Sequence, residues 1–338
     1  MDKEGCRLKN AVAVIGALCA MLCLILAPTE AIESARYGLS LCAELILPSL
    51  LPFFAASALL VRLGVPQALG RLLAPLARRL WGVSGAGAAA FLTGICGGYP
   101  LGAQTVAELY ANGQVTKKEG ESLLRFCNNS GPSFLVGVIG GGLFSSRGAG
   151  LLLYAIHVCA ALTVGVLFRA RAGALSDSAP APTPEMRVSE AIVASVRQAV
   201  AALLSVCGFV VCFCVLAGLL DALGLYRAAS ALLSRSLGMD ARDARALLTG
   251  LLELSGGVGA LRGLPPTAAR FVLSAFLSGW GGLCVQFQSL AVLADTDLSA
   301  RPLITGRLFC ALISALLAFA LCGLVPLSPA SLALAVFS

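Results

Sequence analysis

Apolar runs long enough to cross a bilayer recur along this chain, and they constrain its fold more than any other feature. They cover residues 11–27, 39–61, 149–168, 199–220, 271–294 and 308–324. A helix of about 20 apolar residues spans the hydrocarbon core of a membrane. Of the 338 residues, 58% are hydrophobic and 12% are charged, whereas about 25% are charged in ordinary soluble domains. The sequence therefore predicts an all-α, polytopic membrane protein.

Charge and cysteine usage exclude several other classes of protein. The net charge of +7 is spread through short loops, as expected for orientation by the positive-inside rule rather than for a nucleic-acid partner. Many of the 13 cysteines lie inside apolar runs, where cysteine behaves as a small hydrophobic residue. No C-x-x-C occurs, and the one histidine has no ligand partner at metal spacing. We expect no metal site, cofactor, disulfide framework or nucleic-acid partner.

Two apolar stretches are interrupted in the same way. Residues 92–104 read L-T-G-I-C-G-G-Y-P-L-G-A-Q, and residues 248–260 read L-T-G-L-L-E-L-S-G-G-V-G-A. Both begin with L-T-G and reach a Gly-Gly pair within a few residues. Non-helical backbone at membrane depth is tolerated only where it is buried in protein or lines a cavity. Paired, glycine-interrupted segments in two halves indicate the substrate site of a transporter.

A second pair of breaks follows the first in each half. Residues 127–133 read C-N-N-S-G-P-S, and residues 278–282 read S-G-W-G-G. Each half then has the order span, arginine-bearing helix, two broken segments, span, which predicts two internal repeats with hairpin-like helices. Chance similarity among Leu/Ala/Gly-rich segments is the alternative. Whether the repeats are inverted stays open, because inversion would place the arginines of residues 227–245 outside.

The resulting division has four parts. Residues 1–35 form an N-terminal membrane helix with a short loop, which we expect to remain uncleaved rather than to serve as a signal peptide. Residues 36–170 form the first repeat, residues 171–190 a Pro-rich linker and residues 191–338 the second repeat.

The start of the first repeat carries two further predictions. Two prolines within residues 39–61 predict a kinked or hairpin-like element. Arginines and leucines in residues 62–81 predict an amphipathic helix at the membrane interface.

Glycines and neutral polar side chains near the breaks are the candidate ligand contacts. An interrupted helix presents unpaired N–H groups to an anion, and glycine lets a ligand approach the backbone. Amides can orient a heteroaromatic ring or a carboxylate without the full desolvation cost of an ion. The predicted substrate-binding residues are Gly97, Gly98, Tyr99, Gln104, Asn128, Asn129, Ser130, Ser133, Glu253, Ser255, Gly256, Gly257, Trp280, Gln286 and Gln288. For Asn128 and Asn129 we favour ligand contact, since two adjacent amides exceed local capping needs.

Ionisable side chains at membrane depth are functional candidates by default. Glu253 is the first candidate for binding a coupling proton or cation, and Glu44 is the second. Arg125 either neutralises an anionic substrate or extends to a lipid headgroup. We interpret His157 as a hydrogen-bonding residue between helices, and we place Arg307 at the mouth of the last span.

Three segments together carry a family resemblance. Residues 44–54 read E-L-I-L-P-S-L-L-P-F-F, residues 92–103 read L-T-G-I-C-G-G-Y-P-L-G-A, and residues 126–134 read F-C-N-N-S-G-P-S-F. In combination they resemble the YlbJ-type sporulation integral membrane proteins, which carry the nucleoside-recognition, or Gate, domain. The resemblance extends from about residue 39 to the last span and is strongest in the first half. It implies an endospore-forming bacterium and an architecture similar to that of concentrative nucleoside transporters.

The resemblance also implies a function, the movement of dipicolinate across the outer forespore membrane during sporulation. Dipicolinate is a flat pyridine with two carboxylates, which suits helix N-termini, amides and a stacking ring. We therefore expect a transporter of a small anionic heteroaromatic compound that works by alternating access, with the substrate and the lipid bilayer as partners. A nucleoside or nucleobase transporter and a non-transporting scaffold of the spore envelope are the alternatives. The absence of G-x-S-x-G, H-E-x-x-H and P-loop patterns argues against an enzyme. The coupling ion, the direction of transport and a homo-oligomeric state stay open.

Overall fold

The computed structural model describes residues 3–169 and 187–325, and every regular element in these ranges is helical. Most of the linker predicted at residues 171–190 lies outside the described residues. Helix α1 (Lys3–Leu26) is followed by α2 (Pro28–Leu41). A π-helical turn, Cys42–Ile46, joins α2 to α3 (Leu47–Arg62).

The span predicted at residues 39–61 differs from the expectation in its start and its shape. It begins at Pro28 and continues to Arg62 as one stretch of 35 residues, so the hairpin-like alternative is wrong. Pro48 lies in the first turn of α3, where a missing N–H costs little. The π-helical turn just before it lets the chain continue without reversing.

Helix α4 (Val65–Leu80) is strongly amphipathic. Leu69, Leu72 and Leu76 leave much of their surface uncovered by the protein, as the predicted interfacial helix requires. The chain then bends by 103° into α5 (Gly85–Gly97). A Cβ at Gly70 would collide with the carbonyl oxygen of Gly85, so a glycine allows this sharp corner to close.

The rest of the first half contains the two predicted breaks. Helix α5 ends at Gly97, and α6 (Leu101–Ala111) returns after a cis Tyr99–Pro100 bond. Helix α7 (Lys117–Leu123) is followed by an irregular segment, residues 124–132, and by a π-helical segment, Ser133–Leu143. Helix α8 (Arg147–Leu167) is the last span of this half.

The second half repeats this order of elements. The long span α9 (Val188–Ala222) is followed by α10 (Leu225–Leu237) and by a hairpin of α11 (Ala241–Leu252) and α12 (Leu254–Ala260). A broken pair then follows, α13 (Ala268–Trp280) and α14 (Gly282–Leu293). Helix α15 (Arg301–Leu321) continues into a short 3-10 turn, Cys322–Leu324. The predicted order of two repeats with broken helices is confirmed.

The second hairpin breaks at a different residue from the one that the Gly-Gly pair predicts. The chain leaves the helix at Glu253, whereas Gly256 and Gly257 lie inside α12. A Cβ at Gly257 would run into the backbone of Gly250. This glycine therefore permits close packing between the two arms of the hairpin and does not form the break.

Among the described residues, five helical stretches are long and apolar enough to cross a membrane, or six if the bent α4–α5 pair forms one span. For each stretch, we compared the buried share of its most apolar 18-residue window. That share is 67% in Ala268–Leu293, 22% in Pro28–Arg62 and 28% in Val188–Ala222. The broken pair α13–α14 is therefore central, and the two 35-residue helices are peripheral. The chain is a polytopic integral membrane protein.

Candidate functional site

The two hairpin tips and the two broken segments converge on one central cavity of about 50 Å³. Apolar side chains of α3 and α9 close one side of it. The predicted residues that line it are Gly97, Gly98, Tyr99, Ser130, Ser133, Glu253, Ser255 and Gln288. Both repeats therefore contribute backbone breaks and polar groups to a single site.

Glycines bring the first hairpin directly onto the irregular segment. Gly98 has φ of +82°, and a Cβ there would lie 3.0 Å from the backbone nitrogen of Gly131. A Cβ at Gly94 or at Gly102 would collide with the carbonyl oxygen of Cys127. Only glycine permits two backbones to approach this closely, so these positions bring the two breaks to the same wall of the cavity.

Glu253 is a buried carboxylate with 2% exposure, and it caps its own helix. One carboxylate oxygen accepts a hydrogen bond from the Ser255 N–H at 2.9 Å, and the other accepts one from the Gly256 N–H at 2.5 Å. None of the ion pairs among the described residues includes Glu253. Backbone N–H groups and the positive end of α12 therefore stabilise the carboxylate in place of a cation.

A second cavity, the vestibule, is also lined by Glu253 and has a volume of about 350 Å³. It is lined by residues of α2, α9, α10, α11 and α12, among them Tyr37 and Tyr226. Arg245 donates two hydrogen bonds, of 3.1 and 2.7 Å, to the carboxylate of Asp221 in its wall. Arg245, predicted with the interfacial arginines, thus belongs to the hairpin α11–α12. Glu253 forms part of the partition between the vestibule and the central cavity.

The central cavity is small compared with most ligand pockets. Pockets for small organic ligands enclose roughly 300–1,000 Å³, and a water molecule needs about 10–15 Å³. The central cavity, at about 50 Å³, has room for a few water molecules and not for a heteroaromatic ring. An organic ligand therefore needs a wider cavity than the one in this structure.

The two adjacent amides make hydrogen bonds to protein groups and do not line the cavity. Asn128 donates from Nδ2 to the Ser289 hydroxyl at 2.7 Å and accepts at Oδ1 from the Ala103 N–H at 3.4 Å. Asn129 donates from Nδ2 to the Phe126 carbonyl at 2.7 Å. Asn128 therefore connects the irregular segment of the first repeat to α14 of the second repeat, and ligand contact by either amide stays a prediction.

The remaining predicted polar residues lie at several places around the site. Gln104 donates to the Glu108 carboxylate at 2.9 Å and lines a separate small cavity. Trp280 donates to the Leu251 carbonyl at 3.0 Å, which ties α13 to α11. Gln286 is buried, and its amide nitrogen has no hydrogen-bond partner among the residues described.

The predicted charge partners Glu44 and Arg125 lie away from the central cavity. Glu44 lines a third cavity, of about 170 Å³, together with Arg262. Arg125 donates to the Glu121 carbonyl at 3.4 Å, and its guanidinium lies 5.3 Å from the centre of the Phe168 ring. In this conformation neither side chain reaches the groups that line the cavity.

Arg307 is the positively charged residue beside the site, and the prediction for it was wrong. The helix α15 begins at Arg301 and not at residue 308, so Arg307 lies in its second turn. The Arg307 side chain is fully buried. Its guanidinium donates to the Tyr99 hydroxyl at 3.0 Å and to Asn129 Oδ1 at 3.4 Å. Pro302, in the first turn of α15, was the available signal for the earlier start.

His157 supports the irregular segment from α8, in line with its predicted hydrogen-bonding role. Its Nε2 accepts a hydrogen bond from the Ser130 N–H at 3.0 Å. The proton of the neutral ring therefore lies on Nδ1. The ring fixes the backbone of a residue that lines the central cavity.

Two hairpins and two broken helices around one cavity define a transporter-like architecture, and solved structures share it. A variant of CNTnw in an outward-facing state matches with a TM-score of 0.61 and 17% identity, over 95% of this chain and 86% of that chain. Another outward-facing variant matches with a TM-score of 0.53 and 17% identity, over 94% and 86%. The fold is that of the concentrative nucleoside transporters.

Sequence comparisons identify the family region and a relative. The family model Gate, described as nucleoside recognition, matches residues 43–172. The chain is 28% identical over 305 residues to the sporulation integral membrane protein YlbJ of Bacillus subtilis (strain 168), covering 83% of this chain and 75% of that protein. Residues 43–172 thus match the Gate family model, and the resemblance to YlbJ-type sporulation membrane proteins is confirmed.

Proposed function

We propose that this protein transports a small anionic heteroaromatic compound, with dipicolinate as the substrate, across the outer forespore membrane during sporulation. The observation that carries the proposal is the meeting of both hairpin tips and both broken segments at one cavity. Transporters of this design bind their substrate where half-helices from two repeats meet. Similarity to a sporulation membrane protein supports a role during sporulation, and the chemistry of the cavity supports the substrate class.

The groups at the cavity suit a flat ring with carboxylates. Hydroxyl and amide donors come from Ser133, Ser255 and Gln288, and aromatic surface comes from Tyr99 and Phe134. The helical segment that starts at Ser133 places its positive end at the cavity, which favours negative charge. A pyridine dicarboxylate uses both kinds of contact.

Movement of the second hairpin would provide alternating access. Glu253 lines both the central cavity and the larger vestibule, so a shift of α11–α12 would open one into the other. A buried carboxylate at this position is suited to bind a coupling proton or cation, and Glu44 is the second candidate for that role.

A nucleoside or nucleobase is the second candidate substrate. The description of the matching family as nucleoside recognition favours it, and neutral donors beside an aromatic side chain also suit a base.

The predicted four-part division, with repeats at residues 36–170 and 191–338, and a homo-oligomeric assembly belong to the same proposal.

Uptake into proteoliposomes tests the proposal. Purified protein would be given labelled dipicolinate, with a labelled nucleoside as the comparison substrate. A Ser133→Ala, Gln288→Ala variant removes two donors of the cavity, and Ser236→Ala, at an exposed serine of α10 outside that cavity, is the control. We expect saturable dipicolinate uptake that the double variant loses and the control keeps.

Other results would favour the alternatives. Uptake of the nucleoside alone would assign the second substrate. Folded protein that neither binds nor moves either compound would contradict transport and favour a scaffold of the spore envelope.

A further inference from the structure

The strongest feature that the proposed function leaves unused is the buried charge of Arg307. The ion pairs among the described residues join Lys117 to Asp297, Arg245 to Asp221 and Arg270 to Asp243. Arg270 is thus buried beside a carboxylate, whereas Arg307 is fully buried without one within reach. A buried charge is costly unless an opposite charge or a specific role accompanies it.

The side chains that accept hydrogen bonds from the Arg307 guanidinium among the described residues are neutral. Tyr99 and Asn129 accept its hydrogen bonds, and the Tyr99 ring centre lies 5.8 Å from its central carbon. Its Nε has no hydrogen-bond partner in the described part of the chain. The other titratable groups nearby are Cys127, His157 and Cys310, none of which is a carboxylate. None of the ion pairs in the described part of the chain therefore includes this positive charge behind the cavity.

The position of Arg307 connects this charge to the site. Tyr99 lines the central cavity, and its hydroxyl accepts from Arg307 and donates to the Ser278 carbonyl at 2.9 Å. Arg307 thereby holds one wall residue in place and lies one side chain behind the wall. Glu253, the carboxylate that borders the cavity, is already occupied by N–H groups of its own helix.

We propose that Arg307 makes the central cavity selective for anions, as a positioning residue that acts through Tyr99 and through its positive charge. The proposal rests on the proposed function and names the charge that the substrate must carry. In a low-dielectric interior a full charge acts over several ångströms. A substrate carboxylate at the Tyr99 wall supplies the negative charge that none of the ion pairs among the described residues provides for Arg307.

Three ligands of similar shape and different charge test this inference. Dipicolinate carries two carboxylates, picolinate carries one, and pyridine-2,6-dicarboxamide carries none. Binding to the purified full-length protein would be measured by calorimetry for the wild type, Arg307→Gln, Arg307→Lys and Arg301→Gln. Arg301 is an exposed arginine of the same helix, so its substitution is a control for net charge.

We expect Arg307→Gln to weaken dipicolinate binding at least tenfold while binding of the dicarboxamide changes less than twofold. Arg307→Lys should keep a preference for the dianion, and Arg301→Gln should behave as the wild type. Equal weakening of all three ligands, or an unchanged preference in folded Arg307→Gln protein, would overturn the inference.

The lysine variant keeps the test decisive if Arg307→Gln does not fold. A folded Arg307→Lys protein without the dianion preference overturns the inference, and one that keeps it supports the role of the charge. Wild-type protein that binds none of the three ligands overturns the proposed function and this inference together. Wild-type binding of dipicolinate without a role for Arg307 overturns the inference alone.

Discussion

At the scale of single residues, buried polar side chains in this protein connect broken backbone segments. Asn128 reaches Ser289 in the second repeat, and Glu253 occupies the first N–H groups of α12. Unpaired N–H and carbonyl groups are costly where water is absent. Each break therefore needs polar side chains for its own stability, whether or not these also contact a ligand.

Substitution of Glu253 separates its capping role from its role in transport. Glu253→Gln keeps one acceptor for the start of α12, so we expect only a small loss of stability. Glu253→Ala removes both acceptors and should cost about 0.5–2 kcal/mol, the range for loss of an N-cap. Uptake by the glutamine variant should fall at least tenfold if the carboxylate binds the coupling ion. Thermal unfolding and proteoliposome uptake would be measured together, and full uptake by Glu253→Gln would contradict that role.

Glycine substitutions test the close approach of the first hairpin to the irregular segment. A Cβ at Gly94 collides with the Cys127 carbonyl oxygen, whereas a Cβ at Gly208, in α9, meets nothing within 4 Å. Overpacking costs about 1–3 kcal/mol, so Gly94→Ala should lower the unfolding temperature and disturb ligand binding. Gly208→Ala, the matched control, should leave both unchanged. Equal unfolding temperatures for the two variants would contradict the packing described here.

At the scale of elements, the second hairpin is held to the peripheral span at one charged contact. Arg245 of α11 and Asp221 of α9 form an ion pair whose side chains are 51% and 37% exposed. Such exposed pairs contribute only about 0.2–1 kcal/mol. The contact is therefore weak enough to break during a conformational change.

Exchange of these two charges tests whether the hairpin moves. Asp221→Arg and Arg245→Asp alone each place like charges together, so we expect a more open vestibule and a changed uptake rate. The double exchange Asp221→Arg, Arg245→Asp restores the attraction and should bring the rate back towards that of the wild type. Uptake rates equal to that of the wild type in all three variants would show that this contact does not control the movement of the hairpin.

At the scale of the whole molecule, the two repeats interlock and do not form separate domains. Tyr99 donates to Ser278, Asn128 donates to Ser289, and Arg62 donates to Gln198 at 3.0 Å. Helices α2 and α3 also pack along α9. The central cavity exists only where both repeats are present.

Expression of the chain in two pieces tests this interdependence. We expect residues 1–178 and residues 179–338 to be unstable when produced alone, because each piece exposes polar groups that the other satisfies. Produced together, the pieces should co-purify through a tag on one of them and regain uptake. A monodisperse, ligand-binding single piece in size-exclusion chromatography would contradict the interlocked arrangement.

The agreement between sequence and structure depends on how local each feature is. Span length, the amphipathic α4 and the breaks near Gly98 and Gly281 follow from short windows of sequence. The Gly256–Gly257 pair predicted a break that the structure places at Glu253. The prediction was wrong because Gly257 permits close packing against Gly250 and does not interrupt the helix. That need arises from packing between two helices and leaves no separate signal in the sequence.

By itself, the sequence determined the class of protein, the repeated order of spans and breaks, and eight predicted residues of the cavity wall. These depend on apolar length, on glycine and on proline, which act within a few residues. Only the tertiary structure decided that Asn128 bonds to Ser289 and that Arg307 lies buried behind Tyr99. Such partners lie more than 150 residues apart along the chain, and only the packing of the two repeats brings them within hydrogen-bonding distance.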